Sequence, residues 1–117
     1  TRKILGHPHL PITATTVRVP VQNCHGESIN VELEKDFSIN EIISILKNSP
    51  GIIVEDEPNK NLYPMSSTSV GHDEVFVGRI RKDFSVKHGI NMWVVADNLR
   101  KGAASNAIQI MERMIEQ

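Results

Sequence analysis

Arg18 and His25 are the residues whose types and placement bear most directly on chemistry. Arg18 lies in a stretch rich in β-branched residues, and His25 follows in a polar turn beside Gly26. A guanidinium carried on a strand presents a rigid fork of donors that fits a carboxylate or phosphate. An imidazole in the adjacent loop changes charge near neutral pH, so it can give or take a proton. Together the pair predicts an anion clamp and an acid–base group converging on one small cleft from neighbouring segments. Taken singly they are an arginine at a strand edge and a solvated histidine, the commoner meaning of isolated titratable residues.

The other candidates are weaker. Cys24 beside His25 suggests a thiol–imidazole dyad, but neighbours in an extended segment point to opposite sides, and Cys24 reads better as a small semi-buried thiol. His7-Pro8-His9 offers two metal ligands without a third at useful spacing, so no metal site is expected. In Asp97-Asn98-Leu99-Arg100-Lys101-Gly102-Ala103-Ala104, two cations stand at the start of a helix and oppose its dipole. A bound anion would compensate them, and solvation of both side chains is the alternative. Gly102 and Ala103 would also let a ligand or a second backbone approach closely. Arg79-Ile80-Arg81-Lys82 alternates faces if it forms a strand and lacks an aromatic platform, so it reads as a sheet edge or an interface rim.

These residues need elements to hold them. Ile12 to Val21 reads as a strand, with Thr13, Thr15, Val17, Val19 and Val21 on one face and Arg18 on the other. Ser28 to Glu34 alternates Ile29, Val31 and Leu33 with Asn30, Glu32 and Glu34, the pattern of a strand with one wet face. Ser38-Ile39-Asn40-Glu41 has capping-box spacing and opens a helix along Ile39, Ile42, Ile43, Ile45 and Leu46, which Pro50-Gly51 ends. A short strand over Gly51 to Glu55 leads into a long polar loop, Asp56 to Asp73. Strands over Glu74 to Arg81 and Ile90 to Ala96 follow, the second apolar on both faces and therefore interior to a sheet. Asp97 or Asn98 is expected to cap a closing helix with the stripe Ala104, Ala107, Ile108, Met111, Met114 and Ile115. At the other end, Thr1 to Gly6 carries the marks of a helix terminus, with two cations, Gly6 and then Pro8. One turn does not stand alone, so a helix cut by the start of the chain is expected there rather than a frayed terminus. The class is α+β, a mixed, largely antiparallel sheet with helices packed on one side.

Composition narrows the partners. A chain of 117 residues with 39% hydrophobic and 23% charged residues suits one globular domain. Lys and Arg number 13 against 14 Asp and Glu, for a net charge of -1, which argues against a nucleic-acid or membrane-surface partner. No apolar run approaches the roughly 20 residues of a membrane-spanning helix, and the N-terminal stretch lacks the apolar core of a secretory signal. A single cysteine excludes an internal disulfide framework and fits a reducing, cytoplasmic setting.

Three signatures carry a family resemblance. Arg18-Val19-Pro20-Val21 through Cys24-His25-Gly26-Glu27-Ser28-Ile29-Asn30-Val31-Glu32 resembles the strand–turn–strand of aspartate-semialdehyde dehydrogenases. Asp73 to Arg81 and Asn91 to Ala104 resemble the next two, in the expected order. The resemblance implies the C-terminal part of an enzyme that interconverts aspartyl phosphate and aspartate semialdehyde, usually with NADP, toward lysine, threonine and methionine. It implies a glyceraldehyde-3-phosphate dehydrogenase-like C-terminal domain, residues 1–97 forming part of a substrate-binding and dimerisation domain. Residues 98–117 are then a helix that packs on the nucleotide-binding domain, and the assembly is a homodimer. His25 matches the acid–base histidine, Arg18 the arginine that clamps the substrate carboxylate, and Asn98 a position near the nicotinamide. The nucleophilic cysteine and the glycine-rich nucleotide turn have no counterpart in this chain, and Cys24 is not that cysteine. Gly26 stands where many members carry serine. Alone, the segment is expected to be inactive. Two other readings stay open: a non-catalytic assembly module, and a related acyl-phosphate reductase such as one acting on acetylglutamyl phosphate.

Overall fold

The computed structural model describes residues 1–116. Its elements are β1 (His25–Glu32), α1 (Ile39–Lys47), β2 (Ile52–Val54), a 3-10 turn at Pro58–Lys60, α2 (Ser66–Ser69), β3 (Val75–Asp83), β4 (Gly89–Ala96) and α3 (Ala104–Ile115). The strands form one sheet in the order β1-β4-β3-β2. β4 is antiparallel to both neighbours and β2 is parallel to β3, which makes the sheet mixed and largely antiparallel, as expected.

The capping box forms as its spacing predicts: Glu41 N–H donates to Ser38 Oγ at 3.1 Å, and Ser38 N–H donates to Glu41 Oε2 at 2.8 Å. It starts α1 at the register that turns Ile39, Ile42, Ile43 and Leu46 onto the sheet, over the buried cluster of Val77, Ile80 and Ile90. The opposite face carries Phe76, Val95 and Trp93, and there the long loop folds back. Trp93 Nε1 donates to the Pro64 carbonyl at 3.0 Å, so one indole joins the sheet to the loop. β4, expected to be interior, lies between β1 and β3.

Several expectations are corrected. Ile12 to Val21 forms no strand, and Val17 and Val19 are exposed. β-branched residues favour an extended backbone, but a strand needs a neighbour to accept its N–H groups, and the described residues supply none there. The strand expected over Ser28 to Glu34 starts earlier, at His25, so this histidine belongs to a strand end and not to a turn. The loop from Asp56 to Asp73 contains the 3-10 turn and α2. The closing helix begins at Ala104, with Ala103 at its N-cap and no side-chain cap, so neither Asp97 nor Asn98 caps it.

The N-terminal turn does end as a helix ends. Gly6, at φ +64, donates to Lys3 O at 3.3 Å, and His7 N–H donates to Arg2 O at 3.0 Å. Those two bonds, with glycine in the left-handed region, make the Schellman arrangement that closes a helix.

Candidate functional site

The site is organised by the pairing of β1 with β4. His25, the first residue of β1, stands opposite Ala96, the last residue of β4. Asn98 follows two residues later in a turn and is half-buried. The antiparallel register therefore brings the candidate acid–base group and the candidate nicotinamide contact to one end of the sheet. The His25 side chain is exposed there.

Cys24, immediately before His25, is buried and adopts φ 70, a conformation that L side chains rarely take. Its thiol donates to the Ser66 carbonyl at 3.4 Å. Burial pushes the thiol pKa up, and the nearby Asp97 carboxylate raises it further. The thiol is thus buried and bonded to the Ser66 carbonyl, and among the described residues no hydrogen bond pairs it with the His25 imidazole, which counts against the dyad.

Asp97, immediately before Asn98, is only 4% exposed. One carboxylate oxygen accepts from Gly71 N–H at 2.8 Å and the other from Leu99 N–H at 3.0 Å. Those donors, Gly71 foremost, hold its carboxyl below the usual aspartate range. The sequence predicts that Asp97 or Asn98 caps a helix. An Asp two residues before a turn N–H was the only local signal, and its tie to Gly71 is tertiary.

Arg18 lies in the irregular stretch before β1 and is exposed. Among the described residues no hydrogen bond or ion pair joins it to His25. The cations of the 97–104 segment are already compensated from within, contrary to the bound anion that their position suggested. Arg100 Nη1 lies 3.2 Å from Asp73 Oδ1, and Lys101 Nζ donates to Gln109 Oε1 at 2.6 Å. Asp73 also accepts from the Ser105 hydroxyl, the main reason its carboxyl titrates low, with Arg100 second. Ser105 belongs to the first turn of α3, so the anion at that helix start is the protein's own carboxylate.

Gly26 has a steric reason. A Cβ there would lie 2.5 Å from Cζ2 of Trp93, whose indole is tied to Pro64. The basic run also has an aromatic setting that its sequence did not reveal. Ser28, Tyr63, Arg79, Arg81 and Trp93 line an open cleft, while Lys82 points to the other face toward Phe37, 5.4 Å from the ring centre. Arg79, at φ 54, sits in the bulge between Gly78 and Arg81. Among the described residues no three His, Cys, Asp or Glu side chains are grouped to hold a metal, and no helix is long and apolar enough to cross a membrane.

Five carboxyls, on Asp36, Glu41, Asp73, Asp83 and Asp97, titrate below their ordinary values. Their largest causes are hydrogen bonds from Phe37 N–H, Ser38 N–H, the Ser105 hydroxyl, the Ser85 hydroxyl and Gly71 N–H, respectively. The unfolded chain therefore binds more protons than the native one below about pH 5, and stability falls as pH drops through the native values. Urea midpoints should be lower at pH 3 than at pH 7; an equal or higher midpoint at pH 3 would contradict the assignment.

Residues 1–101 match the family model described as semialdehyde dehydrogenase, dimerisation domain. The chain belongs to this family. Aspartate-semialdehyde dehydrogenase of Aquifex aeolicus is 53% identical over 117 residues, covering 100% of this chain and 34% of the relative. The Bacillus subtilis protein of the same name is 46% identical over 97% of this chain and 33% of its own length. Among solved structures, aspartate semialdehyde dehydrogenase II of Vibrio cholerae, complexed with ASA, superposes with a TM-score of 0.90 at 38% identity, over 99% of this chain and 34% of that one. This semialdehyde dehydrogenase domain thus spans about a third of the length of these relatives. The matches bear out the resemblance carried by the three sequence signatures and the α+β class.

Proposed function

We propose that this segment is the substrate-binding and dimerisation part of an aspartate-semialdehyde dehydrogenase, inactive alone and functional within a complete homodimeric enzyme of the cytoplasm. That enzyme interconverts L-aspartyl phosphate and L-aspartate semialdehyde on the route to lysine, threonine and methionine. The observation that carries the reading is the β1–β4 register, which sets His25 and Asn98 at one sheet end within a chain that matches these enzymes from end to end.

His25 holds the proton at its imidazole and passes it to or from the substrate carbonyl oxygen as a nucleophile supplied by the remainder of the complete enzyme adds to that carbonyl and later leaves it. Arg18 clamps the substrate carboxylate with two parallel N–H bonds, fixing the carbonyl beside His25. Hydride chemistry would come from a bound dinucleotide, NADP in this reading. Asn98 suits its nicotinamide end, because a half-buried carboxamide can both donate to and accept from another amide. The sequence holds no glycine-rich turn for the phosphates, so their binding belongs to the remainder of the complete enzyme.

Residues 1–97 form the domain proper, and 98–117 reach across to the nucleotide-binding part. α3 supports this division. None of its residues is buried, and Met114 and Ile115 are 74% and 76% exposed on a strongly amphipathic helix. Such a stripe needs a partner surface.

The test is activity of the complete protein in the phosphate-dependent oxidation of aspartate semialdehyde. Arg18→Lys keeps the charge and loses the fork, so kcat/KM should fall about 10- to 100-fold, the worth of one charge-assisted hydrogen bond. An unchanged kcat/KM would remove Arg18 from the site, and an inactive parent enzyme would remove the function.

A further inference from the structure

We propose that the Ser66–Gly71 turn is a clip that fixes His25 against Asn98, with Cys24 and Asp97 as its two positioning residues. The inference rests on the roles proposed above for His25 and Asn98.

The two residues that grip the turn are the immediate predecessors of the two candidate site residues. Cys24 holds one end of it, through Sγ to the Ser66 carbonyl at 3.4 Å. Asp97 holds the other, through Oδ2 to Gly71 N–H at 2.8 Å. Between them α2 is pressed so closely onto the strands that Ser69 is completely buried. Trp93 secures the approach to the turn through the Pro64 carbonyl at 3.0 Å. One short segment thus ties the start of β1 to the end of β4 from beneath, independently of the sheet's own hydrogen bonds.

Each grip sets a direction as well as a distance. The left-handed backbone of Cys24 determines the angle at which the chain enters β1, and hence where His25 points. A cysteine keeps that conformation only where its surroundings over-determine it, and here burial and the thiol bond do so. Asp97 works on the Asn98 side. Its second oxygen takes Leu99 N–H at 3.0 Å while its carbonyl takes Arg100 and Lys101 N–H at 3.0 and 2.8 Å. Asn98 is therefore clasped between two bonded neighbours. A misplacement of about 1 Å in such a pair is enough to cost about 100-fold in rate.

The experiment uses the complete enzyme with variants Asp97→Asn, Cys24→Ala, Cys24→Ser, His25→Gln and, at the far end of the sheet, Asp36→Asn as control. Asparagine at position 97 sets an NH2 donor against one of two N–H donors. We expect kcat/KM to fall about 10- to 100-fold, with the KM for the nucleotide raised as well as kcat lowered. In the nucleotide-free protein the Gly71 amide should exchange with solvent at least about tenfold faster, as expected of a lost local tie. Cys24→Ala should lower kcat and move the His25 ring resonances, whereas Cys24→Ser, which still donates to Ser66, should restore both. Asp36→Asn should match the parent.

The clip is overturned if His25→Gln is inactive while Asp97→Asn and Cys24→Ala keep parental kcat and nucleotide KM. It is equally overturned if Cys24→Ser is as impaired as Cys24→Ala, because the thiol bond then has no part. An active His25→Gln instead overturns the proposed role of His25, and the clip with it. Should Asp97→Asn fail to fold, the alanine and serine variants of Cys24 decide.

Discussion

Replacing His25 with glutamine in the complete enzyme is expected to lower kcat by about 10²- to 10⁴-fold, the range for losing a positioned acid–base group. Glutamine retains a donor and an acceptor of similar reach but cannot exchange a proton at any accessible pH. Substrate binding should persist, because the carboxylate clamp assigned to Arg18 is untouched, so KM for the semialdehyde should change little. The side chain is exposed at the end of β1 and makes no described hydrogen bond, so its loss leaves no orphaned partner in the core. Stability should stay within about 0.5 kcal/mol of the parent, as for a surface substitution. Steady-state kinetics with a urea titration separate the two effects. A variant that loses kcat and stability together would mean that His25 is structural, and one that keeps kcat would assign the proton to another group.

What the sequence discloses about this domain follows from the range of the interactions involved. The capping box at Ser38 and Glu41 closes within one helical turn, and the Gly6 terminus closes within another, so both were legible. The two-faced apolar run of β4 is a property of one segment and located it correctly in the sheet's interior. Ile12 to Val21 misled because strand propensity describes the segment while a strand is a property of the pair. The charge that compensates Arg100 is no bound ligand but Asp73, far away in sequence. The site divides similarly. Residue type and placement drew attention to Arg18 and His25, and the family resemblance added Asn98, whereas the ties of Cys24 to Ser66 and of Asp97 to Gly71 span 42 and 26 positions. No periodicity announces contacts of that kind. The left-handed backbone of Cys24 and Arg79 was equally invisible, since neither residue type predicts it.

Gly78→Ala is expected to be the most destabilising single-methyl substitution in the sheet, and Gly26→Ala provides the contrast that explains why. A Cβ at Gly78 would stand 2.2 Å from the Glu55 carbonyl oxygen and 2.5 Å from Cδ of Pro64. The first is backbone and the second a ring with no rotamer to escape into. Glu55 is pinned as well, its N–H bonded to Val77 O at 2.9 Å, and Pro64 holds the Trp93 indole. Room can come only from moving the segment after β2 away from β3, at about 3 kcal/mol, the upper end for overpacking. At Gly26 the first obstacle is the Trp93 ring, a side chain that can tilt at the expense of one hydrogen bond, so about 1 kcal/mol is expected. Urea midpoints of the two variants should therefore rank Gly78→Ala well below Gly26→Ala. The reverse order would mean that the indole, and not the carbonyl of Glu55, is the rigid member of this contact. Because the same movement draws Pro64 and the start of the α2 turn off the sheet, Gly78→Ala should also loosen the end that bears His25 and Asn98, and lower activity at urea concentrations where the parent is still fully folded.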